Sequence, residues 1–243
     1  MKNLTDGFTA VIIGASGGIG GALAQRVEAM AGCKQLIATA RQPEKARDPN
    51  SVVGLDTADE NMVAAFAQSL TAEVDLVINA TGLLHDPERD IFPERSLRHL
   101  EMDKMQAVFA ANAFGPALLM KHLLPKLPRQ RPAIFASLSA RVGSISDNRL
   151  GGWYAYRAAK AAHNMFLKTA ALEAAYRQKQ AVIVGLHPGT VETGLSEPFK
   201  GNVPSEKLFT PDQSAGYLLD VLSGLSAEDS GKVFDWRGQE VPA

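Results

Sequence analysis

Apolar residues in this chain come in short unbroken runs, each separated from the next by a stretch of helical spacing. Residues 8–13 (Phe-Thr-Ala-Val-Ile-Ile) form the first run, and a helix is predicted over 18–30. Further strands are predicted at 35–40, 51–55, 74–79, 133–138 and 181–186, with 233–235 as a last edge strand. Helices are predicted at 61–70, over a long region 96–127 broken near its start, at 153–177, and from Thr210 to about 222. Thr210-Pro211-Asp212-Gln213 is a capping-box start with proline at the first helical position. A strand that is apolar on consecutive residues needs cover on both faces, and intervening helices supply it through right-handed crossovers. The pattern predicts a doubly wound α/β fold around a parallel sheet. No internal repeat and no linker rich in Gly, Ser or Pro divides it, so residues 1–243 are expected to form one domain. Residues 194–209 are the longest irregular stretch and read as a surface loop, either covering a site or without a role.

A content of 46% hydrophobic and 21% charged residues excludes a disordered chain. Lys plus Arg number 25 and Asp plus Glu 26, for a formal charge of −1, without the basic excess of a nucleic-acid or anionic-membrane binder. The single cysteine, Cys33, precludes an internal disulfide and fits a reducing, cytoplasmic setting. Residues 8–25 carry no charge, Lys2 precedes them, and Ala22-Leu23-Ala24 imitates a signal-peptidase site. Against a leader stand five glycines within the run (Gly14, Gly17, Gly18, Gly20, Gly21), each weakening a helix by about 1 kcal/mol relative to alanine. Its apolar part has only the length of a buried strand. No other stretch is expected to approach bilayer-spanning length.

Directly after the first predicted strand comes Gly14-Ala15-Ser16-Gly17-Gly18-Ile19-Gly20. The first glycine allows a sharp turn off the strand. The later ones bring backbone and helix close to a pyrophosphate, which the helix N-terminus attracts through its unpaired N–H groups and its dipole. A glycine turn between strand and helix at the start of an alternating β/α pattern points to a dinucleotide, in a Rossmann-like fold. At the end of the second strand an NAD enzyme usually places an acid for the ribose hydroxyls. This chain has Thr39-Ala40-Arg41. A guanidinium there suits a 2′-phosphate through paired, charge-assisted bonds, which favours NADP(H) over NAD(H); an ordinary solvated cation is the other reading of Arg41.

Tyr156 and Lys160 stand four apart, on one face of a predicted helix. A phenol with a pKa near 10 is a poor acid-base catalyst at neutral pH, and a neighbouring ammonium lowers that value. Together Gly14–Gly20, Asn79-Ala80-Thr81-Gly82, Asn112, Tyr156/Lys160 and Pro188-Gly189-Thr190-Val191-Glu192-Thr193 resemble the short-chain dehydrogenase/reductase family in order and approximate spacing. The resemblance covers nearly the whole chain. Residues 139–145 and 152–157 look closest to its C-factor and Sniffer-like carbonyl reductases.

That resemblance implies an oxidoreductase acting on a small carbonyl or alcohol substrate, as a homodimer or homotetramer joined through the long helices. Tyr156 would donate a proton to the carbonyl oxygen. Lys160 would hold the nicotinamide ribose and lower the tyrosine pKa, and Asn112 would anchor a water in a proton relay. Gly14, Ser16, Gly17, Gly18, Ile19 and Gly20 would cradle the pyrophosphate. Asp56 would bond the adenine, and Asn79 and Gly82 would line the ribose side. Val191 and Thr193, after Pro188-Gly189, would fix the carboxamide. The family's catalytic serine stands three residues before a glycine, and counting back from Gly143 lands on Ala140. Ser139, one residue earlier, is taken as the replacement, though its spacing to Tyr156 is longer than the family's usual one. A cofactor-binding sensor or signalling protein with little turnover is the alternative. The five histidines show no metal-ligand spacing, and no metal is expected. Trp153 and Tyr154 either wall a pocket or simply pack.

Overall fold

The structure is a computed structural model that describes residues 1–198 and 208–243. Seven parallel strands form its main sheet: β1 (Phe8–Ile13), β2 (Cys33–Ala40), β3 (Val52–Gly54), β4 (Leu76–Asn79), β5 (Ala133–Leu138), β6 (Ala181–His187) and β9 (Val233–Asp235), in spatial order β3-β2-β1-β4-β5-β6-β9. Every residue of β1, β4 and β5 is buried, which is why these strands read as unbroken apolar runs. Alternate side chains enter two different cores. Val11, Ile13, Val77, Phe135 and Ile183 pack with residues of α2 (Glu60–Ser69), α4 (Gly115–Leu123) and α5 (Tyr154–Ala174). Ala10, Ile12, Leu76, Ile78, Ile134 and Val184 pack with α1 (Gly18–Glu28) and α6 (Pro211–Gly224). This is the doubly wound α/β architecture predicted above. α6 starts with the expected capping box: Gln213 N donates to Thr210 Oγ1 at 3.2 Å, and Thr210 N to Gln213 Oε1 at 2.9 Å.

The chain leaves β1 toward β2 and β3, then returns to place β4 on the other flank of β1. Strand order reverses there, and a crevice opens beyond the carboxyl ends of the strands, the usual ligand position in such sheets. The turn from β1 into α1 shapes one wall. Gly14 has φ +87°, and a Cβ added to Gly20 would lie 2.1 Å from the Gly14 carbonyl oxygen, so only glycine lets the helix start against this turn.

The long region 96–127 is helical and broken near its start, as expected. After a short 3₁₀ turn, Leu97–His99, one continuous helical run covers Met102–Lys126: α3 (Met102–Phe109), a π-helical segment (Ala110–Phe114), α4, and a closing 3₁₀ turn. By length and composition this run is long and apolar enough to cross a membrane, which corrects the expectation that no such stretch exists. Here Leu119, Met120 and Leu123 pack in the sheet's core, and Val108 and Ala113 in a third cluster with Tyr156. A two-stranded parallel ribbon was also not foreseen: β7 (Thr190–Val191) pairs with β8 (Leu208–Phe209). It joins the two ends of the loop predicted at 194–209, of which residues 199–207 lie outside the described residues.

Replacing Gly20 by alanine forces the β1–α1 turn apart. We expect Gly20→Ala to cost ~1–3 kcal/mol or more, read as a lower urea midpoint at unchanged m-value. An unchanged midpoint would mean the turn relaxes freely and is not the tight wall described.

Candidate active site

Two connected cavities occupy the crevice. One, of about 390 Å³, is lined by the glycine turn, Arg41, Asp56 and Arg89. The other, of about 370 Å³, is lined by Gly18, Ile19, Gly20, Ser139, Tyr156, Lys160, Pro188 and Thr193. They share Ser16, Gly17, Ala80, Thr81 and Gly82, so a long ligand can lie through both. The combined lining is small or polar at its floor, where the helix N-terminus of α1 has Gly17 as its N-cap with no side-chain cap. Unpaired amide groups at that end suit an anionic group such as a pyrophosphate. Arg41 is exposed at the far end and makes no hydrogen bond or ion pair with a described residue. Small glycine floors, an uncapped helix start and an unengaged guanidinium together fit a dinucleotide carrying an extra phosphate.

The catalytic candidates meet at the other end. Tyr156 (8% exposed) and Lys160 (2%) face inward from the first turns of α5. Lys160 Nζ donates to the Leu138 carbonyl at 2.8 Å and lies 5.8 Å from the Tyr156 ring centre. Burial pushes the Lys160 amine down to about 7 and the Tyr156 phenol above its ordinary value. Burial disfavours the charged form of each group, and for the phenol this outweighs the pull of the amine. The lowering of the phenol expected from Lys160 alone is therefore opposed by a larger effect.

Asn112 sits wholly buried in the π-helical segment. Its Nδ2 donates to the carbonyls of Leu83 (2.6 Å) and Val108 (2.9 Å), and its Oδ1 accepts from Leu83 N at 3.1 Å. It thereby fixes the turn after β4. Gly82 separates it from Lys160: a Cβ on Gly82 would be 3.3 Å from Asn112 Oδ1 and 3.9 Å from Lys160 Nζ. Ser139 lines the cavity, but its hydroxyl donates to Asn164 Oδ1 at 2.6 Å. Ala140 packs instead in the cluster containing Tyr156.

The other predicted residues divide in two groups. Asp56, Gly82, Pro188 and Thr193 line the cavities, and Asp56 also accepts from Ala58 N at 2.9 Å. Asn79, Gly189 and Val191 stand behind the walls. Asn79 donates to Ser137 Oγ at 2.9 Å and accepts from the amide and hydroxyl of Thr81, holding the β4 turn. Gly189 has φ +79°, with Phe209 packed where a Cβ would be, and Val191 is in the β7–β8 ribbon. Sequence reasoning missed Arg89 and Gln42, which join Arg41 in lining the first cavity, and Asn164 as the partner of Ser139. Arg89 follows no motif spacing; Asn164 stands eight residues after Tyr156 on the same helix, a helical interval that could have flagged it.

Two histidines lie outside this set. His163 is fully buried, one turn after Lys160, and neither ring nitrogen has a hydrogen-bond partner. Burial, with the Lys160 charge added, pushes its pKa down to about 3; burial pushes His187 down to about 4. The unfolded chain binds these protons near pH 6.5, so their contribution to stability falls as pH drops from there toward 4. We expect His163→Leu to raise the melting temperature, and to raise it more at pH 5 than at pH 7.5. In a chain this size each 1 kcal/mol relieved is worth roughly 2–4 °C. An equal gain at both pH values would contradict the buried neutral ring.

The sequence model of the short chain dehydrogenase family matches residues 8–203. The C-signal protein of Myxococcus xanthus is 35% identical over 179 residues, covering 73% of this chain and 98% of that protein. The NADPH-bound carbonyl reductase from chicken fatty liver superposes with a TM-score of 0.86 at 26% identity, over 100% of this chain and 96% of that one. The carbonyl reductase Sniffer of D. melanogaster shares the fold, with a TM-score of 0.82 at 19% identity over 98% of this chain and 99% of its own.

Proposed function

Because this chain belongs to the short chain dehydrogenase family, we propose that it is an NADP(H)-dependent oxidoreductase that reduces a ketone or aldehyde, or oxidises the alcohol, with Tyr156 as acid/base. The carrying observation is that Tyr156 and Lys160 line the same cavity as the glycine turn. The similarity to an NADPH-bound carbonyl reductase over the full chain supports the cofactor and the carbonyl substrate.

Gly14, Ser16, Gly17, Gly18, Ile19 and Gly20 would hold the pyrophosphate, Arg41 the 2′-phosphate and Asp56 the adenine. Gly82 and Pro188-Gly189 through Thr193 would shape the nicotinamide end, with Asn79 and Val191 bracing those walls from behind. The cofactor, when bound, supplies or accepts the hydride at the substrate carbon. In reduction Tyr156 gives its phenolic proton to the carbonyl oxygen, and burial favours the protonated phenol this requires. Lys160, in its charged form, stabilises the phenolate left behind. Asn112, with both amide donors spent on Leu83 and Val108, would anchor a water of the proton relay through the remaining lone pair of its Oδ1. Ser139 aids by bonding the carbonyl oxygen. A half-turn of the Asn164 carboxamide would place its NH₂ toward the serine and leave the hydroxyl proton available. The long helical run and α5 expose Phe114, Met165 and Leu172, which supports a homodimer or homotetramer through these helices.

The C-signal similarity gives some weight to a second reading, a cofactor-binding signalling protein with little turnover. A buried acid-base pair facing the cradle has no purpose in a pure sensor, so the enzymatic reading is preferred. NADPH oxidation with a panel of ketones and aldehydes tests it. We expect turnover that falls ~100-fold or more in Tyr156→Phe; undiminished turnover in that variant would refute the role of Tyr156. Binding with no turnover on a broad panel would favour the sensor. We also expect NADPH to bind more tightly than NADH, with Arg41→Ala removing ~10–100-fold of that preference, as befits a charged hydrogen bond worth about 1.5–3 kcal/mol. Equal affinities in the unaltered protein would return the cofactor to NAD(H).

A further inference from the structure

The helix that carries Tyr156 starts from an unusual place. Gly151, Gly152 and Trp153 have φ values of +65°, +66° and +54°, three successive residues in the left-handed region. Two are glycines, for which this costs little; the third is a tryptophan, for which it is strained. Such a conformation persists only where neighbours impose it. Trp153 is also the N-cap of α5 and offers no side-chain cap.

Glu94, on the loop after β4, supplies what this start lacks. Its backbone carbonyl accepts from Trp153 N at 2.6 Å, and its carboxylate Oε2 accepts from Ala155 N at 3.1 Å. Glu94 is only 8% exposed, so the carboxylate has left water to do this. Its charge faces the positive end of the α5 dipole, and it satisfies a helix N–H that would otherwise be unpaired. From the other side Arg157 Nε donates to the Gly152 carbonyl at 3.0 Å. Held between these bonds, the Trp153 indole stands edge-on to the Tyr156 ring, 6.3 Å between centres at 74°. Leu84 and Ile91, on the same loop as Glu94, pack in the cluster that contains Tyr156.

We propose that Glu94 is a positioning residue for Tyr156: it caps α5 from outside, pins Trp153 in its left-handed conformation, and so fixes where the phenol stands in the crevice. This rests on the reading of Tyr156 as acid/base. Glu94 touches neither substrate nor proton; it acts through the indole and the first turn of α5.

The test compares Glu94→Ala with Glu94→Gln, whose amide oxygen still accepts the Ala155 N–H. We expect the alanine variant to lose ~10–100-fold in kcat, the scale for a misplaced reacting group, with NADPH Kd and carbonyl KM unchanged. Glutamine restores most of kcat. In a Trp236→Phe background, Trp153 emission shifts in the alanine variant and stays put in the glutamine one. Trp153→Gly gives a second arm if Glu94→Ala does not fold, since glycine takes this φ freely; kcat falls there too at unchanged NADPH Kd. Full kcat in either Glu94→Ala or Trp153→Gly, equal loss in the alanine and glutamine variants, or loss that tracks NADPH binding would overturn the proposal. If the unaltered protein turns over no carbonyl compound, the acid/base reading fails, and the emission contrast still decides whether Glu94 pins the indole.

Discussion

The bond from Lys160 Nζ to the Leu138 carbonyl, 2.8 Å long and nearly sealed from water, ties the phenol-bearing helix to the carboxyl end of β5. A long flexible amine is seldom buried, and here its charged form is made costly enough to bring the pKa to about 7. The arrangement requires α5 to lie tightly against the turn after β5. Gly143 makes that approach feasible: a Cβ there would come within 2.8 Å of the Lys160 Cβ and 2.9 Å of its carbonyl carbon. Once α5 is seated, Tyr156 is fixed one turn before the lysine, and its ring faces the crevice that the opening glycine turn bounds.

The sheet supplies the rigidity. Its strands send alternate side chains into two separate cores, so each strand end is held from both faces. The crest of such a sheet is a stable rim on which loops of different shape can be carried. On one side of the rim lies Arg41, on the other Tyr156 and Lys160, and Ala80-Thr81-Gly82 forms the shared floor. Asn79 and Asn112 keep that floor in place by spending their amide groups on the backbone and side chains of neighbouring segments. Asn79 shows how a residue can matter to a site without facing it.

Much of the architecture was legible because a strand buried on both faces has a distinct signature, and β1 and β5 were located to the residue. The glycine turn was legible because close backbone approach leaves no alternative to glycine. Side-chain direction was not. Ser139 lies just past the end of β5, where strand alternation stops, so nothing in the spacing told that its hydroxyl would meet Asn164 while Ala140 took the side toward Tyr156. The long helix was legible over 96–127, but the spacing gave no sign of the π-helical segment at Ala110–Phe114, through which the run passes into α4. Glu94 was invisible for a different reason. It caps a helix from sixty-one residues away, and local patterns carry no trace of a partner that distant.

The central claim is that the glycine cradle and the Tyr156–Lys160 pair serve one ligand, a nicotinamide dinucleotide held so that a single face of its ring meets the substrate. Single-turnover reactions with NADPH deuterated separately at each of the two C4 positions, using a ketone that the protein accepts, test this most directly. The account predicts that deuterium reaches the carbinol carbon from one diastereomer only. Transfer from both positions alike, or a cofactor that binds and passes no label to any carbonyl compound, would contradict it.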